Sequence, residues 1–411
     1  MQSGDRYTEV QLINMTIRKN FFPVLLPYPS SSAASPFLSL VLCFLLLLIT
    51  ACSSQTQTAK QPQDNTPGET DSKLTVYGGI LEQFDEVGRP IWSVKAKQAR
   101  YTEEKEIGQV DQPYGELYQD GKVVYQITAE KADIQQNGQQ LFLKGKIFAK
   151  DPRNGIMLYG NELEWRPKED LLILRDRING QHKQLQAIAK EAKVKTREQR
   201  IDFSGGVLAN SADPPLQIRT EHLIWKIKDQ KLIGDRPVQI DHYKNKQVTD
   251  RGRGDSAEIN LKTKIATINK NSQIELLDPP MQIASNAMTW NLNTETVKSN
   301  TPVRVFHKAE NVTVTGNQGE LKIPQKTVYL TGNVNGVGQK GQSIQSDNLT
   351  WYLDRKIVEA QGNVTYRQVN PPMTFNGDKA QGNIQTENIV VKAGNTGKRV
   401  ITEIIPQEKI P

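Results

Sequence analysis

The sequence predicts an all-β body, an elongated stack of antiparallel strands built from a repeat of about 30 residues. Apolar anchor residues recur from Leu141 to Val358 at steps of 29 to 36 residues. Within each repeat, apolar residues alternate with polar ones, as in Leu349, Trp351 and Leu353, and helical i, i+3, i+4 spacing is absent. Turn-forming residues recur between these segments. Alternation bounded by turns is typical of half-buried strands.

The composition of the chain excludes several classes of protein. Of its 411 residues 36% are hydrophobic, and Gly (29) and Pro (21) are near average usage, which excludes a collagenous or wholly disordered chain. The only two cysteines, Cys43 and Cys52, lie in or beside the N-terminal apolar run, so the body has no disulfide framework. The four histidines are too widely spaced for a local metal motif. We therefore expect no metal and no cofactor. Basic and acidic residues are evenly interspersed, with a net charge of +7, so we also expect no nucleic-acid partner.

The first 52 residues are predicted to be a signal peptide. Phe37–Ala51 is a run of fifteen nearly continuous apolar residues, the length of a secretory h-region and shorter than the ~18 residues of a membrane span. It ends in ITAC (residues 49–52), which resembles the bacterial lipobox, with Cys52 as the lipidation site. The alternative is an uncleaved N-terminal membrane helix, because the segment before the apolar run is long. The polar residues 53–72 are predicted to form a disordered tether.

Four tryptophans about 60 residues apart mark the repeat, with matching units without tryptophan between them. An aliphatic anchor follows each tryptophan after seven residues, and a second anchor follows six residues later. Breaking residues such as Gly205, Gly206 and Pro237 separate the two anchors. A chain that bends at such corners and returns after a hairpin builds two facing antiparallel sheets. The body from Lys73 onward would hold about 11 repeats of two rungs each, and ~4.8 Å per strand would make it about 100 Å long.

Three stretches of the body resemble a known family. They are FDEVGRPIWSVKAKQARY at residues 84–101, GELY at 115–118, and LTGNV at 330–334. They resemble the LptC family of lipopolysaccharide-export proteins, together with the LptA/OstA repeat, in an extended cyanobacterial-type lipoprotein form. The resemblance covers about Leu74 to Arg399 and implies a β-jellyroll, or slit-open β-taco, with an apolar groove. Short LptC proteins differ in having a membrane helix where this chain has a lipobox.

The predicted organisation follows from these features. Residues 1–52 form the signal peptide and residues 53–72 the tether. Residues 73–180 are predicted to form an LptC-like β-jellyroll that continues into LptA/OstA-like repeats at residues 181–400. Residues 401–411 are predicted to be a C-terminal tail.

The resemblance implies a transport component rather than an enzyme. Its partners would be the acyl chains of lipopolysaccharide or a similar glycolipid, an inner-membrane Lpt ABC transporter, and an LptA-like or LptD-like periplasmic jellyroll. Its location would be the periplasm of a diderm bacterium, anchored to the inner membrane. Each buried CH₂ contributes ~0.8 kcal/mol, so a 12-carbon chain would gain up to about 10 kcal/mol in an apolar groove. The predicted groove residues are Leu141, Leu143, Trp165, Leu172, Ile201, Trp225, Leu232, Ile268, Trp290, Val297, Leu321, Val328, Leu330, Trp351 and Val358.

Other interpretations of the same pattern stay open. Alternating apolar residues are also what any packed β-solenoid core requires. A purely structural surface lipoprotein would show the same ladder without binding lipid. A polysaccharide-binding or polysaccharide-cleaving β-helix would need paired acids across a rung or a calcium cluster, whereas the acids here, such as Glu162 and Asp235, are scattered at turns.

The lipobox leads to a test of the anchor. Cys52→Ala should leave an unlipidated precursor, because the thiol that carries the lipid is absent, and stable attachment needs more than one acyl chain. Mass spectrometry of the membrane-extracted protein measures the change in mature mass. An unchanged mature mass would favour the uncleaved membrane helix.

Overall fold

The computed structural model describes residues 74–102, 107–135, 138–386, 388–393 and 400–404. The predicted signal peptide, lipobox and tether lie outside the described residues. All described residues belong to one compact unit within residues 66–411. Apart from one 3-10 turn at Pro167–Glu169, the regular structure of the described residues is β-strand. The predicted all-β class is confirmed.

Short strands form the first part of the body. Each of them belongs to only one of the two facing halves of the sheet that are described below. They are β1 (Leu74–Tyr77), β2 (Ile80–Phe84), β3 (Pro90–Lys95), β4 (Gln98–Thr102), β5 (Ile107–Asp111), β6 (Tyr114–Gln119), β7 (Lys122–Thr128) and β8 (Lys131–Gln135).

From β9 onward, twelve strands of 10 to 12 residues pass through a bend, which we call a corner, where the hydrogen-bond register shifts in most of them. In other places the chain leaves the sheet at the corner, so that two shorter strands stand where one long strand would be. The strands are β9 (Gln140–Lys150), β10 (Met157–Arg166), β11 (Leu171–Gln181), β12 (Leu185–Lys195), β13 (Arg200–Ser211), β14 (Leu216–Lys226), β15 (Lys231–Gly234), β16 (Val238–Lys244), β17 (Gln247–Gly254), β18 (Ser256–Asn260), β19 (Ile265–Leu276), β20 (Met281–Asn291), β21 (Thr296–Ser299), β22 (Val303–His307), β23 (Val312–Gly316), β24 (Gln318–Lys322), β25 (Thr327–Val337), β26 (Ser343–Tyr352), β27 (Ile357–Gln368), β28 (Met373–Asn383), β29 (Ile389–Lys392) and β30 (Ile401–Ile404).

The strands form one antiparallel sheet that folds along its corners into two facing halves. Half A consists of β1, β4, β5, β8, β15, β18, β21, β24 and β29 with one end of each of the twelve long strands. Half B consists of β2, β3, β6, β7, β16, β17, β22, β23 and β30 with the other ends. Within the described ranges each half therefore has 21 rungs, close to the two rungs in each of about 11 repeats that the sequence predicts.

The corners depend on residues that adopt a left-handed backbone. Gly205 and Gly206 have φ of +84° and +72°, and the pairs 145–146, 176–177, 270–271, 332–333 and 362–363 have positive φ in the same way. A side chain from the neighbouring corner completes several of them: Asn271 donates a hydrogen bond from Nδ2 to Asp255 at 2.9 Å. Two successive left-handed residues turn the chain sharply, and this is where the sheet folds.

The two halves are in direct contact through their inner faces. A Cβ added to Gly252, in half B, would lie 2.8 Å from Ile268 and 3.3 Å from Trp290, both in half A. In the same way, Cβ at Gly180 would lie 3.2 Å from the ring of Phe203. At these two positions glycine lets a large side chain of the facing half lie directly against the backbone.

The hairpin turns of both halves lie along the side opposite the corners, which we call the mouth. In half A the mouth is formed by the turns at residues 167–170, 196–199, 227–230, 261–264, 292–295, 323–326 and 353–356. In half B it is formed by the turns at residues 85–89, 120–121, 151–156, 182–184, 212–215, 245–246, 277–280, 308–311, 338–342 and 369–372.

The strands run on through the predicted subdivisions of the body. Strand β11 extends to Gln181 and pairs with β12, so hydrogen bonding is continuous across residues 180–181. The residues predicted as a tail from 401 begin with a strand, β30, which pairs with β28.

The corner geometry leads to a test of stability. In Gly206→Val, the left-handed φ of +72° becomes costly for a β-branched residue, and we expect the free energy of unfolding to fall by about 1–2 kcal/mol. The built Cβ has nothing within 4 Å, so the effect comes from the backbone alone. The control is Gly206→Asn, because asparagine tolerates this conformation and occupies corner positions 271, 333 and 363. Urea unfolding followed by tryptophan fluorescence measures both, and equal losses would contradict the argument.

Candidate functional site

The fifteen predicted groove residues all lie in half A, on the face that points toward half B. Fourteen of them are buried, with exposed fractions of 0 to 2%. Val358 alone is half-buried. The structure therefore brings the whole predicted set into one continuous interior, as alternate residues of neighbouring strands.

The facing row in half B was missing from the predicted site. Its members pair in register across half B and are buried or half-buried. The second anchor of each repeat, such as Ile178 or Val303, was the sequence signal for this row, because it follows the corner and returns to the interior from the other side. The row includes Leu158, Ile218, Ile240, Ile274, Ile283, Val305, Val314, Ile344 and Tyr366.

The protein's own side chains fill most of the interior. Trp165, Trp290 and Trp351 are among its largest fully buried side chains. In the middle of the body, the space left between side chains such as Ile283 and Val328 is only about the size of one water molecule. The apolar interior is thus closed over much of its length.

Three buried indole groups lack a hydrogen-bond acceptor within the described part of the chain. They are Nε1 of Trp165, Trp225 and Trp290. A buried donor without a partner costs about 1–3 kcal/mol. Since each tryptophan is the inward residue nearest the mouth on its strand, these donors lie close to the entrance of the interior.

Ion pairs connect the turns of half A with those of half B across the mouth. Arg197 Nη1 lies 2.7 Å from Asp120 Oδ2, in turns on opposite sides of the mouth. Further toward the C-terminus, three lysine–carboxylate pairs repeat the arrangement. They are Lys264–Asp213 at 2.8 Å, Lys244–Glu295 at 2.5 Å and Lys356–Glu310 at 2.9 Å.

Aromatic pairs between half B and half A alternate with these ion pairs. The rings of His182 and Trp225 have centroids 5.3 Å apart. His242 and Trp290, and likewise His307 and Trp351, lie 5.6 Å apart. Three of the four histidines thus repeat at the spacing of the tryptophans. That shared spacing of about 60 residues was a sequence signal for the pairing, although it does not reveal which ring meets which.

Two of these histidines are held in a neutral form. The main-chain N–H of Gln184 donates to Nδ1 of His182 at 3.3 Å, and that of Glu310 donates to Nδ1 of His307 at 3.2 Å. Burial lowers the pKa of both imidazoles, and the charge of Lys183 lowers the pKa of His182 further. At His307, Glu310 acts to raise the pKa and Lys356 to lower it.

The third histidine has a different environment. Nδ1 of His242 lies 3.0 Å from Oδ2 of Asp250, and both residues are buried. Thr249 donates a second hydrogen bond to the same carboxylate oxygen at 2.8 Å. The carboxylate orients the ring against Trp290.

Buried side chains, rather than the mouth ion pairs, hold the two halves together. Exposed ion pairs contribute about 0–1 kcal/mol each. Replacing a buried tryptophan by alanine typically costs about 3–5 kcal/mol. The ion pairs at the mouth therefore stabilise the closed arrangement much less than the buried side chains of the interior do.

A larger cavity lies between the halves toward the C-terminal end. Its volume is about 650 Å³, including the part open to solvent. Its walls come from both halves, with Val314 and Ile344 in half B and Leu349 and Val358 in half A. Val358, the half-buried residue of the predicted set, is half-buried because it borders this space.

Sequence comparison shows which family the chain belongs to. The profile described as "Lipopolysaccharide-assembly, LptC-related" matches residues 40–172, 171–276 and 306–398, more than half of the chain. The chain belongs to the LptC-related family. Its role therefore lies in lipopolysaccharide transport. The proteins of this family are periplasmic transport components rather than enzymes. No curated protein sequence is similar enough to count as a relative.

One solved structure that the chain matches is that of LptH, the LptA homologous periplasmic component of the lipopolysaccharide transport device from Pseudomonas aeruginosa. Its sequence is 14% identical, and the match covers 31% of this chain and 97% of that one, with a TM-score of 0.28. In the described part of this LptC-related chain, no helix is long and apolar enough to cross a membrane.

The neutral histidines lead to a pH prediction. The unfolded chain takes up protons near the ordinary histidine pKa of about 6.5, whereas His182 and His307 resist protonation in the fold. Their contribution to stability is therefore present above that pH and is lost as the pH falls through the lowered folded-state pKa. We expect the double variant His182→Gln, His307→Gln to lose less Tm than the wild type between pH 7.5 and 5. Parallel pH profiles of the two proteins would contradict this.

Proposed function

We propose that this protein carries the acyl chains of lipopolysaccharide, or of a similar glycolipid, between halves A and B toward the outer membrane. The observation that carries the proposal is the continuous apolar interior, bordered along one side by a mouth of polar turns. An amphiphile matches this arrangement, with its acyl chains inside and its sugar headgroup outside the mouth. The energy for directional flow would come from an inner-membrane ABC transporter.

Loading requires the mouth to open. The ion pairs across the mouth cost little to break, since each contributes about 0–1 kcal/mol. Separating the halves would expose the inward side chains to water, and that cost is much larger. An acyl chain that enters as the halves separate offsets the cost, because each CH₂ it buries contributes ~0.8 kcal/mol. Opening and lipid entry are therefore coupled.

The unpaired indole groups support the same proposal. In a glycolipid, ester and amide carbonyls join the acyl chains to the sugars, so they would lie at the mouth when the chains lie inside. The N–H groups of Trp165, Trp225 and Trp290 lie on that side of the interior and lack an acceptor in the described structure. An acyl carbonyl would supply the missing hydrogen bond.

The terminal strands are the proposed partner surfaces. In the described structure β1 pairs with β4 alone and β2 with β3 alone, and β29 and β30 each pair with β28 alone. Apolar side chains are exposed there, with Tyr77 75%, Ile80 58% and Ile401 63% exposed. Unpaired edges can accept a partner's strand. The N-terminal edge would receive the transporter and the C-terminal edge an LptA-like or LptD-like jellyroll, while Cys52 or a membrane helix holds the chain at the inner membrane.

Site-specific photocrosslinking tests the proposal. A diazirine residue of leucine size at Leu330, which is buried in half A, should crosslink lipopolysaccharide in cells after irradiation, as detected by immunoblotting. The matched control is the same residue at Tyr329, whose side chain is on the outer face next to Lys322. We expect at least a tenfold difference. A probe at the terminal-edge residue Ile401 should capture protein instead.

Two outcomes would contradict the proposal. Equal lipid crosslinking at positions 329 and 330 would mean that the interior has no special role. Absence of lipid at 330 and at further interior positions would favour the alternative, a structural or polysaccharide-binding envelope β-solenoid lipoprotein.

A further inference from the structure

The C-terminal cavity arises from a departure from the repeat. Val194, Ile259 and Leu321 are the inward residues that alternate with the tryptophans along half A. In the next unit that position, paired with Val358, is Gly382. The cavity is lined by Gly382 and, from half B, by Gly336. The interior is therefore open here because side chains that fill it elsewhere are absent.

Neither backbone conformation nor steric clash requires glycine at position 382. It is absent from the positive-φ residues of the described chain, and an added Cβ would lie 3.4 Å or more from its neighbours, at ordinary contact distance. This contrasts with Gly252, where an added Cβ would come within 2.8 Å of Ile268. Local sterics permit a side chain at position 382, and what the glycine provides is space.

The cavity has an apolar inside and a polar rim. Ile344, Leu349 and Val358 line its inner part, whereas Gln342 and Asn388 lie at the mouth. The space between the walls is about 650 Å³ including the part open to solvent, and sixteen residues from both halves line it. A ligand that fits must be apolar at one end and polar at the other.

We propose that this cavity is a preformed seat for one acyl chain of the transported glycolipid. It would be occupied while the rest of the interior stays closed. The inference rests on the proposed function, because it takes its ligand class from the apolar interior and from the LptC-related family. It adds a location: the resting protein holds lipid beyond Trp351, beside the C-terminal edge, where the lipid is next to the strands that would meet the distal partner.

A cavity-filling variant tests the seat. The probe is dodecanoic acid with a diazirine on its chain, irradiated with the purified full-length protein, and the labelled peptides are identified by mass spectrometry. We expect label on peptides that contain Ile344 or Ile384. Gly382→Leu should lower this labelling at least tenfold, because it restores the aliphatic side chain found in the other repeats. The matched control, Gln381→Leu, adds the same side chain to the exposed outer face of the same strand and should keep labelling within twofold.

A second variant guards against misfolding. Val358→Phe fills the same cavity from a different strand and should reduce labelling as Gly382→Leu does, with the thermal midpoint of each variant measured alongside. Wild-type labelling in both folded variants would overturn the seat. Greater labelling after removal of residues 405–411 would also overturn it, because the chain's own end would then be the occupant.

Failure of the seat is distinguishable from failure of the proposed function. If Leu330 crosslinks lipopolysaccharide in cells but the fatty-acid probe labels other positions, or none, transport stands and the seat is wrong. If the probe labels the cavity but no interior position crosslinks lipopolysaccharide, the cavity binds fatty acid and the proposed transport is wrong.

Discussion

Burial of alternate side chains between the two halves of one folded sheet is the constraint on which the rest of the structure depends. A strand that buries every second residue needs a facing surface, and here the same chain supplies it by bending at each corner. The left-handed pairs, such as Gly205–Gly206, make the bend possible. The mouth follows from this arrangement, because a sheet folded along one line brings its hairpin turns together on the opposite side.

If the interior carries acyl chains as proposed, the same constraint sets a competition between the protein's own core and the bound lipid. Side chains that pack in the absence of lipid are those that an acyl chain would touch in its presence. Trp290 shows both aspects, since it is fully buried against His242 and yet has an indole N–H without an acceptor in the described chain. A static core would gain from satisfying that donor. An interior that exchanges its own packing for lipid can leave the donor for the ligand.

In the proposed transport, the balance of energies would favour a mouth that opens along its length. Weak ion pairs such as Lys244–Glu295 close the entrance, whereas the larger free energy is stored in apolar contacts that lipid can replace. Gly382 shifts this balance locally, because fewer side chains must be displaced near the C-terminal end. The interior is thus filled through the middle of the described body and widens near Gly382, and both properties come from which side chain occupies the repeat position.

The sequence by itself determined the all-β class, the 30-residue repeat, the number of rungs and the inward residues of half A. These properties are local: a period of two and a recurring turn can be read without knowing what the strand meets. Only the tertiary structure decided that His307 meets Trp351, that Arg197 reaches Asp120 from 77 residues away, and that the interior widens near Gly382. Those outcomes depend on how the corner bend sets the register of one half against the other. They also depend on the summed volume of side chains from both halves, which no single repeat contains.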